Sequence, residues 1–412
     1  MSEMIKLRNL CTRITDGSHY SPLGVEKGYP MLSVKDMGSY DFNFDNCKYI
    51  SEDEYQSMLR NDCVPKKNDI VIAKDGSYLK EIFVITEDRD IAILSSIGIL
   101  RPNLALVDPY YLKYYLSSDY VRKLVGRKYV TGSALQRIIL ENFGDIDIPY
   151  VSLDRQHAIV ALLKDIDSKI ANNNAICFNL EAMAKLLYDY WFVQFDFPDE
   201  NGKPYKSSGG KMVWNDELKR EIPEGWEVRN LYHIADFVNG LACQKYRPKD
   251  NKHKLPVIKI GEMHNGFGSD VEWARDDVPE KNVVMNGDIL FSWSASLEVM
   301  LWKLGTGVLN QHIFKVIPKA YDRYYVYRQL SSYIINFVKM ADARKTTMGH
   351  ITTDHLTQSR IAIPPKSVAE RYGSIVSPLY EELIGCSCEN QQLASLRDFL
   401  LPMLMNGQVK VG

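Results

Sequence analysis

Apolar residues recur at alternating intervals of three and four positions in two long stretches of the chain. This is the period of a coiled-coil seam. The seam positions are Ile159, Leu163, Ile166, Ile170, Asn173, Leu180 and Leu187 in the first stretch, and Leu379, Leu383, Asn390, Leu393 and Leu400 in the second. A helix of ~40 residues is ~60 Å long, which is more than one small domain covers. The pattern therefore favours pairing of the two helices, most simply antiparallel, over packing of each helix on its own domain. The polar Asn173 and Asn390 are suited to fixing the register.

Shorter alternating patterns precede each long helix, and they occur twice in the same order. YPMLSVKDM (29–37) corresponds to LPVIKIGEM (255–263), and each is typical of a strand that follows a proline. KKNDIVIAKDGS (66–77) corresponds to MNGDILFSWSAS (285–296), and an aromatic-rich helix follows in both copies. The repeated order predicts an internal duplication.

These patterns define the predicted fold class: two tandem α/β (α+β) domains, each followed by a long helix, with the helices paired as an antiparallel coiled coil. The first domain is predicted over residues 1–150 and its helix over 151–195. A connector rich in Pro, Gly, Ser and Lys is predicted over 196–221. The second domain is predicted over 222–365 and its helix over 366–412.

The composition is that of a soluble globular protein. The chain has 412 residues, of which 45% are hydrophobic and 25% are charged, and its net charge is −2. The length fits two to four domains. The sequence has neither a secretory signal pattern nor an apolar run near the ~20 residues of a membrane span. The seven scattered cysteines indicate reduced thiols. We therefore expect a cytoplasmic protein without membrane contact.

Motifs of two enzyme classes are present only in part. Asp199, Glu217 and Lys219 fit the Pro-Asp…Glu-x-Lys pattern of metal-dependent nucleases, but they flank the connector and not a buried strand. DPYY (108–111) resembles the base-flipping loop of DNA methyltransferases, but an aspartate followed by proline before an apolar pattern predicts a helix start. No glycine-rich cofactor loop follows an N-terminal strand. We expect a non-catalytic chain with no metal site, and a stand-alone nuclease is one alternative.

Polar and aromatic loops stand at three corresponding places in the two copies. Arg, Lys, Gln, Ser, Thr and His are side chains that reach base edges and phosphates. The candidate DNA-binding residues of the first copy are Ser18, His19, Tyr20, Lys35, Lys74, Ser77, Ser133, Gln136 and Arg137. Those of the second copy are Lys245, Arg247, Lys259, Trp293, Ser294, Gln311, His312, Lys345 and His350. Any one loop is equally well an ordinary polar loop, and the lysine-rich run 243–261 is either a solvated face or a phosphate contact. Three matched but diverged loops indicate two readers of different targets.

Three stretches carry a resemblance to a known family. They are LYDYWFVQFDFPDENGKPYKSSGGKMV (187–213), IPEGWEVRNL (222–231) and LASLRDFLLPMLMNGQVKV (393–411). With the order of elements over essentially the whole chain, they resemble the specificity subunit of type I restriction-modification systems. In that family each globular domain reads one half of a bipartite DNA sequence. The paired helices hold the domains apart and bind two modification subunits. Because recognition loops vary most between members, the resemblance does not assign the residues that contact bases.

The resemblance implies a function and a set of partners. The chain is expected to direct a restriction-modification complex to a bipartite, non-palindromic site in double-stranded DNA, in a bacterial or archaeal cytoplasm. Two modification subunits are expected to bind it, and restriction (motor-nuclease) subunits to join in the full complex. No cofactor is expected in this chain, whereas S-adenosylmethionine, ATP and magnesium are expected in the partner subunits. The main alternative is a two-lobed coiled-coil scaffold that binds proteins and not DNA.

Overall fold

The chain folds into two compact units. The computed structural model describes residues 3–409 except 39, 76–78, 80, 129, 132–136, 269, 295–296, 344–350 and 352. Unit 1 contains residues 1–168 and 393–412, and unit 2 contains residues 169–392, so that each long helix contributes to both units. Within the described ranges, no helix combines the length and the apolar character that a membrane span requires.

Unit 1 is built on two small sheets flanked by helices. Its strands are β1 (Glu3–Lys6), β2 (Cys11–Asp16), β3 (Tyr29–Leu32), β4 (Lys48–Ile50), β5 (Ile70–Ala73), β6 (Ile82–Val84), β7 (Ala92–Ile93), β8 (Ile97–Pro102), β9 (Val130–Thr131), β10 (Arg137–Ile138) and β11 (Asp147–Tyr150). Its helices are α1 (Leu7–Leu10), α2 (Glu52–Arg60), α3 (Pro109–Leu116), α4 (Asp119–Lys128), α5 (Leu140–Phe143) and the start of α6 (Leu153–Tyr188). The main sheet has the antiparallel order β2-β8-β5-β6, and the second sheet has the order β4-β3-β7.

The sequence of strand β5, IVIA, is apolar throughout because both faces of the strand are buried. Ile70 and Ile72 belong to the hydrophobic core that includes α3, whereas Val71 and Ala73 belong to a second core on the other face. A strand that is covered on both faces has no solvent side and therefore loses the alternating pattern.

Unit 2 has the same plan. Its strands are β12 (Met212–Asn215), β13 (Arg220–Pro223), β14 (Glu227–Arg229), β15 (Ala235–Asn239), β16 (Lys254–Ile258), β17 (Trp273–Arg275), β18 (Val283–Val284), β19 (Ile289–Ser292), β20 (Glu298–Leu301), β21 (Gly307–Leu309), β22 (Ile313–Pro318) and β23 (Ile361–Ile363). Its helices are α7 (Ile260–Asn265), α8 (Arg323–Ala343), α9 (Thr353–Gln358) and most of α10 (Lys366–Met405). The main sheet has the order β15-β22-β19-β20, and the second sheet has the order β17-β16-β21-β18.

The two units confirm the predicted duplication. The four strands of each main sheet correspond one to one in order, and β14 pairs with β23 as β1 pairs with β11. The turns before the third strands are also closed alike. Lys66 N donates to the Asp69 carboxylate at 2.9 Å, and Met285 N donates to the Asp288 carboxylate at 2.7 Å. The same residue type thus makes the same contact in both copies.

The aromatic helix of unit 1 begins where the sequence predicts. The carboxylate of Asp108 accepts hydrogen bonds from Tyr110 N at 2.7 Å and from Tyr111 N at 3.3 Å, and Pro109 occupies the first helical position. This is an N-cap followed by a first-turn proline. The interpretation of DPYY as a helix start is confirmed.

The long helices run antiparallel where they pair. In unit 2, Asn173 contacts Asn390, the Cys177 sulfur lies 3.7 Å from Ser387 Oγ, and Tyr372 donates to Ala184 O at 3.1 Å, so that partners descend along α10 as they ascend along α6. In unit 1, Arg397 Nη1 bonds Asp167 Oδ1 at 2.9 Å, and Leu163 and Leu404 share one core. The antiparallel pairing is confirmed.

The heptad pattern misses one inward residue on α10. It selects Leu379, which is half-buried and packs against the core, but not its neighbour Tyr380, which is fully buried. Tyr380 stacks on Tyr324 of α8 at 4.4 Å and its hydroxyl accepts from Arg328 Nε at 2.6 Å. The helix buries two faces, one against α6 and one against α8, and a single seam cannot describe both.

The segment predicted as a connector is attached to the core of unit 2. Phe197 stacks on Tyr205 at 4.8 Å and on Trp226 at 5.4 Å. Downstream, β12 and β13 form a hairpin in which Val213 lies opposite the buried Ile222. Residues 196–221 therefore fold against aromatic side chains of unit 2.

Candidate nucleic-acid interface

The candidate residues of unit 1 lie where β2 and β5 end and β8 begins. Asp16 is the last residue of β2 and lies opposite Gly98 on β8. Lys74 directly follows β5, and its N–H donates to Ser96 O at 2.9 Å. Because β8 lies between β2 and β5, the loops after these two strands meet at the same edge of the sheet.

Asp16 contacts two of the candidate residues at this edge. The Lys74 ammonium forms an ion pair with Asp16 Oδ2, and His19 Nε2 lies 3.3 Å from Asp16 Oδ1. Lys74 is only 5% exposed, whereas the side chain of His19 is 72% exposed. The sequence gives no reason to separate Lys74 from His19. In the structure, however, Lys74 is a buried counter-ion of Asp16 and His19 lies at the surface.

The loop after β2 begins with residues fixed by the sheet. Ser18 N donates to Ile93 O at 2.8 Å, and its hydroxyl donates to Tyr20 O at 2.8 Å. These bonds leave Tyr20 with its ring in solvent, 60% exposed. Lys35 is also exposed, in a 3₁₀ turn whose Val34 N donates to Ser96 Oγ at 3.1 Å. Ser18, Tyr20 and Lys35 thus lie at or beside the edge that carries Asp16.

The third predicted loop returns to the same edge. Ile138 N, at the end of β10, donates to Lys74 O at 3.0 Å. Arg137 lies in β10 opposite Thr131, and its side chain lies outside the described part of the chain. Ser77, Ser133 and Gln136 also lie outside the described residues.

Unit 2 repeats this framework with different side chains. Asn239 ends β15, as Asp16 ends β2, and Trp293 follows β19, as Lys74 follows β5. Trp293 Nε1 donates to Asn239 Oδ1 at 3.2 Å, and its ring centroid lies 5.5 Å from that of the exposed His312. Ile351 N donates to Trp293 O at 3.0 Å, as Ile138 N does to Lys74 O. The two units thus share these backbone contacts, whereas their side chains at the corresponding positions differ in chemistry.

The other candidates of unit 2 lie around this cluster or on the adjoining turn. Gln311 Nε2 lies 3.4 Å from His312 Nε2, and Ser294 O accepts from the buried Ser292 hydroxyl at 3.2 Å. Lys259 is tied to Glu272 by an ion pair of 2.9 Å. Four candidates remain. Lys245 and Arg247 are exposed, and Lys345 and His350 lie outside the described residues.

Asp16 and Asn239 are central to the two clusters but were not selected from the sequence. Their bonds to Lys74 and Trp293 span 58 and 54 residues, which no local pattern shows. A signal does exist in the aligned repeats: both precede a glycine, Gly17 or Gly240, at the end of the first strand of the main sheet. A polar residue and glycine at the same place in both copies mark the start of the recognition loop.

The carboxylates of the nuclease-like pattern are engaged elsewhere. Asp199 Oδ1 accepts from Asn201 N and Lys203 N, both at 2.8 Å, and so closes a turn. Glu217 Oε2 bonds Arg360 Nε at 2.7 Å. Two carboxylates that share a divalent ion must face one another, and these two serve separate local contacts.

Comparison with known proteins agrees with this architecture. The model of the family described as type I restriction modification DNA specificity domain matches residues 18–182 and 223–393. The MjaIX specificity subunit of a type I restriction enzyme from Methanocaldococcus jannaschii is 26% identical over 313 residues, covering 73% of this chain and 68% of the relative. The HindI specificity subunit from Haemophilus influenzae is 22% identical over 410 residues, covering 84% and 87%.

A solved structure shares the fold. The crystal structure of a type I restriction-modification system S subunit from M. genitalium matches with a TM-score of 0.55 and 15% identity, covering 98% of this chain and 96% of the other. Since the family model matches well over half of the residues, once in each copy, the chain belongs to the type I restriction-modification DNA specificity family.

Proposed function

We propose that this chain directs a type I restriction-modification complex to a bipartite, non-palindromic DNA site, with each unit reading one half-site. The observation that carries this proposal is the pair of matched sheet edges. The same backbone positions hold Asp16 and Lys74 in unit 1 and Asn239 and Trp293 in unit 2. Two copies of one framework with different polar groups are what two readers of different sequences require.

The exposed groups at each edge suit base and phosphate contacts. His19, Tyr20 and Lys35 are in solvent in unit 1, and His312 is in solvent in unit 2 with Gln311 beside it. Imidazole, amide and ammonium groups hydrogen-bond base edges and phosphate oxygens. The chain has a net charge of −2 and is not strongly basic overall, so that the larger partners can supply much of the phosphate neutralisation.

The chemistry of the complex is assigned to its partners. Two modification subunits bring S-adenosylmethionine and act on an adenine flipped from the duplex. Restriction subunits bring ATP and magnesium. This chain acts without a cofactor, in the bacterial or archaeal cytoplasm where the target DNA is found. Its own contributions are recognition and a docking surface along the paired helices.

Methylation mapping tests the proposal. The chain is co-expressed with its modification subunit in a host that lacks the system, and the host DNA is sequenced for methylated adenines. We expect one motif with two unlike halves and a fixed gap. Tyr20→Ala should relax bases in one half only, and Gln311→Ala should relax bases in the other half only. A motif whose two halves both change with either substitution contradicts the two-reader assignment.

Two further assays separate the alternatives. If the chain is a two-lobed protein scaffold, the chain with its modification subunit should not shift a random pool of DNA duplexes in electrophoresis. The proposal predicts a shift. The purified chain alone, with magnesium and S-adenosylmethionine, should neither methylate nor cleave DNA. Cleavage that survives removal of co-purifying subunits and is lost in Asp199→Ala supports the nuclease instead.

A further inference from the structure

The positions of Lys74 and Trp293 have a backbone that is held from both sides. Lys74 N donates to Ser96 O at 2.9 Å, and Trp293 N donates to His312 O at 3.4 Å. The carbonyl oxygens of Lys74 and Trp293 each accept one bond of 3.0 Å from the third loop of their unit. A side chain at this position can therefore change from ammonium to indole while the backbone stays in place.

Both side chains are occupied inside their own unit. The Lys74 ammonium is buried against Asp16, and the Trp293 indole N–H is bonded to Asn239. Lys74 is 5% exposed, so it reaches a DNA group only by leaving Asp16, and the aspartate would then lose its counter-ion. Breaking a buried ion pair in this way is strongly unfavourable. The Asp16–Lys74 pair therefore stays closed, whereas the Asn239–Trp293 pair is a neutral hydrogen bond of 3.2 Å to an exposed asparagine.

Each pair supports one exposed histidine. Asp16 uses its second oxygen to hold His19 Nε2 at 3.3 Å, and the remaining imidazole is in solvent. Trp293 places its ring 5.5 Å from the His312 ring, and Gln311 Nε2 lies 3.4 Å from His312 Nε2. In both units one side of the imidazole is fixed by the protein and the other side faces outward.

We infer that Asp16–Lys74 and Asn239–Trp293 are positioning pairs, and that the base-contacting groups they orient are His19 and His312. This inference rests on the proposed function and deepens it. Lys74 neutralises Asp16, so that a carboxylate can hold His19 at the surface without repelling phosphates. Asn239 and Trp293 need no counter-ion, because they position His312 through a neutral bond and a ring contact. Lys74 and Trp293 thereby become positioning residues and not base contacts.

The test uses the full chain with its modification subunit and maps base preference at every position of the methylated motif. His19→Ala should reduce discrimination at one or two positions of one half-site by roughly five- to a hundredfold, the range of one base contact. His312→Ala should do the same in the other half-site only. Both histidines are exposed, so that neither substitution disturbs a core.

Matched controls exist in each unit. The side chain of His157 is 61% exposed with its Nε2 3.6 Å from Asp108, beyond the opposite end of β8. The side chain of His253 is 72% exposed beside Asp250 at 3.0 Å, before the start of β16. His157→Ala and His253→Ala each remove an exposed imidazole beside a carboxylate, away from the two clusters. Both should leave the base preferences unchanged.

A rescue experiment separates positioning from general loss of structure. Lys74→Met leaves the Asp16 carboxylate without its counter-ion, and discrimination by His19 should fall. Adding Asp16→Asn removes that charge but keeps an oxygen that accepts from His19, so the double variant should discriminate better than Lys74→Met alone. A double variant no better than the single one overturns the positioning role.

The outcomes also distinguish this inference from the proposed function. If the unsubstituted complex methylates no bipartite motif, the proposed function fails. If it methylates one, and His19→Ala and His312→Ala leave every base preference unchanged, the proposed function stands and the inference is wrong.

Discussion

At the residue scale, the first recognition loop of each unit begins with a glycine that has no room for a side chain. A Cβ on Gly17 would lie 2.2 Å from Ile93 O, and a Cβ on Gly240 would lie 2.0 Å from Asn310 O. Real carbon and oxygen atoms do not approach so closely, and both obstacles are backbone. The glycine lets the loop pass directly over the neighbouring strand and so fixes where the next residues of the loop emerge.

Gly17→Ala should therefore displace this loop. We expect a loss of about 1–3 kcal/mol in the free energy of unfolding, typical of overpacking, measured by urea denaturation of the purified chain. Gly24→Ala is the control in the same loop, because its nearest neighbour atom would lie 3.7 Å from the new Cβ. It should change stability by less than about 0.5 kcal/mol. Equal effects of the two substitutions would contradict the steric explanation.

The location of the side chains at the sheet edges is predictable from the sequence, but their roles are not. The aligned repeats place Lys74 and Trp293 correctly at the ends of matching strands. They do not show that Lys74 is buried, because its burial depends on Asp16, 58 residues earlier. A lysine in a polar loop is ordinarily exposed, and only the fold shows which one is buried against a carboxylate.

At the scale of elements, the helix pair contains a buried polar cross-link centred on Asn173. Asn173 is 1% exposed, and its amide donates to Glu389 at 2.6 Å and to Asn390 at 2.9 Å. Lys169 approaches the same glutamate at 3.1 Å, and Asn390 donates to Asn174 at 2.8 Å. The sequence predicted the two seam asparagines, and their contact results from the antiparallel order. The glutamate and the lysine lie outside the apolar pattern and were not predicted.

Asn173→Ala should destabilise the helix pair modestly. It removes two hydrogen bonds, each worth roughly 0.5–1.5 kcal/mol, but also a buried Oδ1 that has no partner among the described atoms. We expect a net loss of about 1 kcal/mol, measured as the shift in unfolding midpoint. The control is Asn172→Ala, an exposed asparagine one position earlier on the same helix. A loss as large in the control would mean that the effect is one of helix propensity.

The same cross-link makes stability depend on pH. Hydrogen bonding from Asn173, and then the nearby Lys169 ammonium, lower the pKa of Glu389 below its ordinary value of 4.5. A lowered pKa in the folded state means that the stabilisation is present above the unfolded-state pKa and is lost as the pH falls through the folded-state value. Glu389→Gln should therefore flatten the acid side of the stability curve as the pH falls below the ordinary glutamate pKa of 4.5.

Urea denaturation across that pH range measures the effect. Glu381→Gln provides the control, since Glu381 is an exposed glutamate on the same helix. Its stability curve should match that of the unsubstituted chain. If Glu389→Gln gives an acid limb as steep as that of the unsubstituted chain, the cross-link carries no pH-dependent stability.

At the scale of the whole molecule, the duplication was predictable because order survives when individual residues diverge. The packing of the connector was not predictable. Pro, Gly, Ser and Lys mark 196–221 as a connector, but they do not show that Phe197 stacks on Trp226 in the core of unit 2. Tyr380 shows the same limit on α10, since the seam pattern records contacts with one partner helix only. Composition and the hydrophobic period reflect local preference. Neither shows how many faces of a helix or segment are buried by its neighbours in the fold.

We expect the paired helices to set the gap between half-sites. Consider an insertion of four residues after Asn174 and another after Cys388. Both fall between the contact of Asn174 with Asn390 and the contact of Cys177 with Ser387, so the lengthened segments lie at the same level of the antiparallel pair. Four helical residues add ~6 Å and rotate the downstream part of the helix by ~40° beyond one full turn. One base pair adds ~3.4 Å and ~35°. The rotations nearly agree, and a slight bend of the DNA absorbs the excess length.

The four-residue variant should therefore methylate the same two half-sites with the gap lengthened by one base pair, or less readily by two. A four-residue insertion is a stutter in the heptad pattern and leaves the seam continuous. The control inserts seven residues at each place, which adds ~10 Å but rotates by only about −20°. Three base pairs of DNA match that length but rotate by ~105°, so that recognition should be lost although the seam stays in register. Methylation mapping of both variants decides the matter. An assembled four-residue variant that keeps the original gap would show that the helices do not set the spacing.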